Sequence, residues 1–143
     1  MKVDELMIGD WVQVNKDVCI KRGTVVRVRS IDADNSFPKK GLKGCVTYAP
    51  IDNMTFVGGV WVEYLIPILL TPQILEKNGF TRSRVFVEWK YNKDDTYILW
   101  KPFPWVRITR EESDVCFTCE YVHELQHALR LCGLTEIADQ FKV

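Results

Sequence analysis

Hydrophobic and polar positions alternate with a period of two near the start of the chain, so its first third reads as β-structure. Residues 11–14 (Trp-Val-Gln-Val) follow a Gly9-Asp10 turn signal, and the Val-rich run 24–31 alternates again after Lys21-Arg22-Gly23. On that second strand Val26 and Val28 would face a core, while Arg27 and Arg29 would face the other way. Residues 32–44 gather Asp, Asn, Ser, Pro and Gly, which predicts a loop. Residues 45–48 predict a short strand and 60–70 a better one, opened by Gly58-Gly59.

The pattern then changes. Thr71-Pro72 is a helix start, with a Thr N-cap and Pro at the first helical position, and Asn78-Gly79 stops that helix early. Residues 85–91 and 96–100 alternate around a polar turn at 92–95, which predicts a hairpin. Pro102 and Pro104 interrupt the chain, so 105–109 reads as an edge strand. Residues 120–131 form a helix stopped by Gly133, and 135–141 add a last turn or two. Val122, Leu125, Ala128, Leu129 and Cys132 make its apolar stripe. His123 and His127 fall on the far side, facing solvent or the rim of a neighbouring strand.

The fold class is therefore α+β. An N-terminal β-rich unit, whose Gly-Asp-Trp-Val entry and Gly-Thr-Val-Val second strand are similar to small SH3-like barrels, leads into a short helix. An antiparallel hairpin or sheet and a C-terminal amphipathic helix follow. The expected organisation is one compact domain over residues 1–143, with sub-units 1–70 (β-rich) and 71–143 (helix-hairpin-helix). No internal repeat or low-complexity segment stands out.

Composition narrows the function classes. Hydrophobic residues are 47% of the chain, which excludes disorder, and 19 basic against 19 acidic residues leave no global field to recruit nucleic acid or membranes. The longest apolar run, 57–70, contains Glu63 and Pro67 and is too short to span a bilayer. The opening Met1-Lys2-Val3-Asp4-Glu5 lacks the apolar segment of a secretory signal. Five cysteines, an odd number without a disulfide framework, favour a reducing compartment, so the expected location is cytoplasmic.

Candidate chemistry concentrates near the C-terminus. Residues 123–127 spell His-Glu-Leu-Gln-His, which on a helix puts His123 and His127 on one face for zinc with Glu124 as general base. A catalytic zinc needs a third protein ligand, yet the chain has 2 His in all, and Glu136 and Asp139 are the carboxylates downstream. Adding Cys116 and Cys119 makes a Cys-Cys-His-His set. On one continuous helix those four would be strung over about 16 Å, too far to converge on one ion without a turn before Glu120. The expectation is thus no catalytic residue, no metal and no cofactor, with a zinc-dependent hydrolase on this motif as the alternative.

Two other clusters carry candidate chemistry. Arg27, Arg29, Lys39, Lys40 and Lys43 make a basic patch on the N-terminal unit, with Trp11 and Tyr48 as local stacking candidates for nucleic acid. The competing reading, a solvated strand face beside a loop, is favoured by the neutral chain. Residues 100–105 place Trp100, Phe103 and Trp105 around two prolines, as either a partner-binding surface or the closed end of a core. Gly58-Gly59 lacks the flanking pattern of a phosphate loop. The Gly133-to-Ala138 end suggests helix-turn-helix faintly, its second helix being short and acidic.

Three blocks carry a family resemblance: ELMIGDWV at 5–12, LIPILLTPQILEKNGF at 65–80 and YVHELQH at 121–127. Together they resemble an uncharacterised group of small proteins from gut Bacteroidetes and their phages or mobile elements. That group shows an ELRIGN-like opening, a PIPLT-x-x-x-L-x-x-x-GF middle and a closing Y-x-H-x-LQ helix. The resemblance spans nearly the whole chain. It implies no activity, and it implies that His-Glu-Leu-Gln-His is a local variant of a structural helix. The expected function is a small intracellular, non-enzymatic binding or accessory protein, possessing an unidentified protein partner and no membrane contact. Weak nucleic-acid binding by the N-terminal unit is a further alternative.

Overall fold

The computed structural model describes residues 1–53, 55–85, 88–93, 96–100, 105–110 and 113–143, and side-chain surroundings outside 85–89, 94–97, 100–107 and 109–114. The architecture is α+β and divides into two compact units, Met1–Ile68 and Leu69–Val143.

The first unit is a five-stranded antiparallel sheet: β1 (Trp11–Val14), β2 (Val25–Phe37), β3 (Leu42–Pro50), β4 (Gly58–Trp61) and β5 (Leu65–Pro67), ordered β4-β3-β2-β1-β5. Four strands run as a meander, and a 3-10 turn at Val62–Tyr64 then carries the chain back so that β5 pairs with β1. Val12, Val14, Val26, Val28, Val46, Tyr48, Val60 and Leu65 belong to one buried cluster. All five strands contribute to it, so the sheet curls around its own apolar face.

Two sequence expectations fail here for physical reasons. Residues 32–44 are not a loop. β2 runs on to Phe37, a 3-10 turn covers Pro38–Lys40, and β3 begins at Leu42. Beyond Val28 the outer part of β2 is solvated, so apolar alternation is not required there and polar residues no longer signal a loop. Register shifts between Val28 and Ser30 and between Asp32 and Ser36 blur the pattern further. Residues 60–70 are not one strand either. Val60 and Val62 are spaced by two, but the next buried position is Leu65. That break of phase is the 3-10 turn.

Close backbone packing fixes two glycines. Gly44 has φ 79° and lies against the Val3 side chain, while a Cβ on Gly58 would sit 2.6 Å from the Tyr48 ring and hydroxyl. Tyr48 and Gly58 are register partners on β3 and β4, so the ring lies across the glycine.

The second unit opens with α1 (Pro72–Lys77), whose Thr71 side chain accepts from the Ile74 N–H, as the N-cap signal predicts. Asn78 ends it with a buried amide clamp. Its Nδ2 donates to the carbonyls of Ile74 and Lys142, both at 2.7 Å, and its Oδ1 accepts from the Lys142 N–H at 2.7 Å.

A five-stranded meander follows: β6 (Thr81–Val85), β7 (Glu88–Lys93), β8 (Thr96–Trp100), β9 (Trp105–Arg110) and β10 (Ser113–Thr118). Tyr91, Ile98 and Ile108 are directly opposed across β7, β8 and β9, and all three are buried. The hairpin read from the sequence is thus the middle of a larger sheet. The segment at 105–109 is no edge strand, because β9 pairs with both β8 and β10. The aromatic cluster expected at 100–105 lies outside the described residues and side chains.

The unit closes with α2 (Val122–Leu131) and α3 (Thr135–Asp139), separated by Gly133 at φ 74°. α3 packs on α2, and Gln126, fully buried, donates from Nε2 to the Ala138 carbonyl at 3.0 Å. At five residues α3 is too short for a recognition helix.

Candidate functional site

The His-Glu-Leu-Gln-His helix is assembled differently from the sequence expectation. Val122, Leu125, Ala128 and Leu129 of the expected stripe are buried and Cys132 is half-buried, but His123 is buried as well, at 6% exposure. The wheel supposes one covered face, whereas Gln126, off that stripe, is also buried and bonded to the Ala138 carbonyl of α3. The His123 ring stacks on Tyr121 at 6.0 Å and meets the His127 ring edge-on at 5.7 Å. The motif's carboxylate has structural work. Glu124 Oε2 accepts from the backbone N–H of Glu120 at 2.7 Å and of Tyr121 at 3.0 Å, which satisfies two donors at the helix entry.

The cysteines are not on this helix. Cys116 is exposed on β10, and Cys119 is buried just before the turn into α2. Burial, followed by the neighbouring Glu124 carboxylate, pushes the Cys119 thiol up to about 12. Among the described residues no group of three or more His, Cys, Asp or Glu side chains gathers where it could hold a metal ion.

The basic residues expected as a patch on the N-terminal unit lie on β2, on the Pro38–Lys40 turn and at the start of β3. The Arg27 guanidinium lies 5.8 Å from the Trp11 ring, and its Nε donates to the Gly9 carbonyl at 3.2 Å. Arg29, Lys39 and Lys43 are exposed. The proposed stacking residues are misplaced: Trp11 and Tyr48 are 5% and 1% exposed and belong to the interior. Of the five cations, Lys40 is the one drawn to an aromatic trough.

That trough, about 500 Å³, lies entirely within the first unit. The loop after β1 contributes Lys16, the end of β2 contributes Phe37, the following 3-10 turn Lys40, and β4 with its 3-10 turn Trp61 and Tyr64. Phe37 and Trp61 stack with centroids 6.5 Å apart and planes at 24°. Lys40 Nζ sits 5.4 Å from the Phe37 ring centroid. Lys16 Nζ sits 4.4 Å from the Tyr64 centroid and donates to its hydroxyl at 3.4 Å. Among the described residues no carboxylate lines the trough. The neighbouring Asp17 and Glu63 accept backbone N–H bonds from Arg22 and Lys43, each at 2.8 Å. A smaller cavity of about 440 Å³ is lined by Met1, Lys2 and Lys43 but also by the carboxylates of Asp4 and Glu63.

Sequence reasoning missed Phe37, Trp61 and Tyr64 because it put the first in a loop and the others on a core strand. The available signal was the phase break after Val62, which leaves Trp61 and Tyr64 outside the Val60, Val62, Leu65 core set. Comparisons of the chain with protein-family models, with curated proteins and with solved structures return no match.

Proposed function

We propose that this chain is a non-enzymatic binding protein whose N-terminal unit is an SH3-like barrel and whose working surface is the Lys16–Phe37–Lys40–Trp61–Tyr64 trough. The β4-β3-β2-β1-β5 order, with a 3-10 turn before the strand that returns to β1, supports the barrel reading. The observation that carries the binding reading is a concave aromatic surface held partly open to solvent, with Phe37 at 41% exposure, beside two lysines. In the second unit Glu124 caps a helix and Cys119 stays protonated, both structural assignments. We assign the protein to the small Bacteroidetes, phage or mobile-element group that its three sequence blocks resemble. A cytoplasmic location fits five cysteines of which none is in a disulfide. No helix among the described residues is long and apolar enough to cross a membrane.

The test is amide NMR of the whole ¹⁵N-labelled chain, titrated separately with decathymidylate, hexaglutamate, decaproline and thymidine monophosphate. Movement of resonances at residues 16–19, 37–42 and 59–64 with any one probe supports the reading. Silence at those positions with all four overturns it.

A further inference from the structure

We infer that the trough on the first unit binds single-stranded nucleic acid, with unstacked bases on the Phe37–Trp61 pair and Tyr64 and with backbone phosphates on Lys16 and Lys40. This rests on the binding role proposed for that surface and names its ligand class.

Three features point to this chemistry. Planarity is the first. Phe37 and Trp61 lie at 24° to one another and Tyr64 borders the same trough, so the surface offers flat π faces. Base-on-aromatic stacking contributes about 1–3 kcal/mol per base and is available once bases leave a duplex. Charge is the second. Lys40 Nζ lies over the Phe37 ring and Lys16 Nζ over the Tyr64 ring, so a base that takes a ring face displaces an ammonium and leaves it next to the strand's phosphate. A phosphate rewards that placement, since a charge-assisted pair is stronger than the aromatic contact of Lys40 or the aromatic contact and 3.4 Å hydroxyl bond of Lys16. The third is the treatment of nearby acids. Asp17 and Glu63 are adjacent in sequence to Lys16 and Tyr64, yet their oxygens turn to the backbone N–H groups of Arg22 and Lys43. The trough lining itself thus carries two lysines and no carboxylate on a chain of net charge +0.

An acidic peptide would satisfy the lysines and leave three rings without a planar partner. A duplex presents base edges and phosphates, and its base faces are already stacked. A strand that presents a base and a phosphate at each step matches both parts of the surface.

The experiment is fluorescence anisotropy of a labelled decathymidylate with the full chain across a salt series, with the NMR titration mapping the contact. Binding is expected to weaken with salt at a log–log slope of about −1.4, the value for two phosphates on a single strand. Phe37→Ala and Trp61→Ala are each expected to weaken it about 10-fold. Lys16→Gln combined with Lys40→Gln is expected to bring the slope close to zero. Phe37 and both lysines are exposed, so their variants keep the test available if Trp61→Ala unfolds. The assignment is overturned if decathymidylate does not bind at low salt, or binds independently of Phe37 and the lysines. A blunt duplex or thymidine monophosphate binding as tightly as the strand also overturns it. Hexaglutamate or decaproline moving the trough resonances while decathymidylate does not would sink the nucleic-acid assignment and leave the binding surface standing. If no probe moves them, both fall.

Discussion

The Tyr121 backbone N–H donates to the Glu124 side chain at 3.0 Å, closing the entry of α2 three residues ahead of the carboxylate. The same oxygen takes the Glu120 N–H at 2.7 Å, so Glu124 points back along the chain toward its own helix end. Gln keeps an acceptor oxygen on a side chain of equal length. Glu124→Ala is therefore expected to lower stability by about 1 kcal/mol in urea unfolding, and Glu124→Gln by clearly less. Equal losses in the two variants would show that the cap does not hold the helix.

Asn78 is the second polar anchor of that unit. Its amide makes three hydrogen bonds at 2.7 Å, reaching Ile74 and both backbone groups of Lys142. Asn78→Ala strips all three and leaves buried groups unmatched, so a loss of about 2–4 kcal/mol is expected. Asn78→Asp keeps the acceptor but turns an oxygen toward two carbonyls, and should be at least as damaging near neutral pH. Amide exchange at Lys142 is expected to accelerate in Asn78→Ala, which removes the acceptor of its N–H, ahead of the global change. Unchanged exchange at Lys142 would contradict the clamp.

Legibility in the sequence followed the range of the cause. Thr71, Pro72, Asn78 and Gly79 announce α1 because capping acts within one turn, and Trp11–Val14 shows itself because half-buried strands alternate. The outer part of β2 was opaque, since solvation removes the alternation that betrays a strand. The burial of His123 is illegible for another reason: a wheel drawn for one helix holds no information about what other elements cover. The trough was the least legible feature. It draws on residues from 16 to 64 that only the curl of the sheet brings together.

The Tyr48 ring across Gly58 gives an expectation with two signs. A Cβ on Gly58 would lie 2.6 Å from a ring atom that cannot swing away, so Gly58→Ala is expected to cost about 1–3 kcal/mol. The neighbouring Gly59 would meet Cys45 Sγ at 3.9 Å, and Gly59→Ala should be far milder. The Tyr48 hydroxyl is buried without a hydrogen-bond partner, and burial raises the phenol pKa. Removing an unsatisfied oxygen relieves desolvation, so Tyr48→Phe is expected to stabilise by about 1 kcal/mol. Urea midpoints at constant slope decide both, and a destabilised Tyr48→Phe would show that the hydroxyl has a partner.

Cys119 offers a measurement at both the residue and the whole-protein level. Cys19 and Cys116 are exposed, so both should react with a thiol reagent in the native protein near pH 8, while Cys119 waits for unfolding. The sign of the pH effect follows from a pKa raised to about 12 in the folded state against an ordinary thiol near 8.5. Below about 8.5 both states hold the proton and this contribution is fully present. Above it the unfolded chain ionises while the native thiol does not, so stability falls until the pH passes about 12. Unfolding midpoints should therefore drop between about pH 8 and pH 10, and less steeply in Cys119→Ala. Some slope should persist there, because burial raises the Cys132 thiol too. Rapid native labelling of Cys119, or identical pH slopes in the two proteins, would mean the thiol is not buried as described.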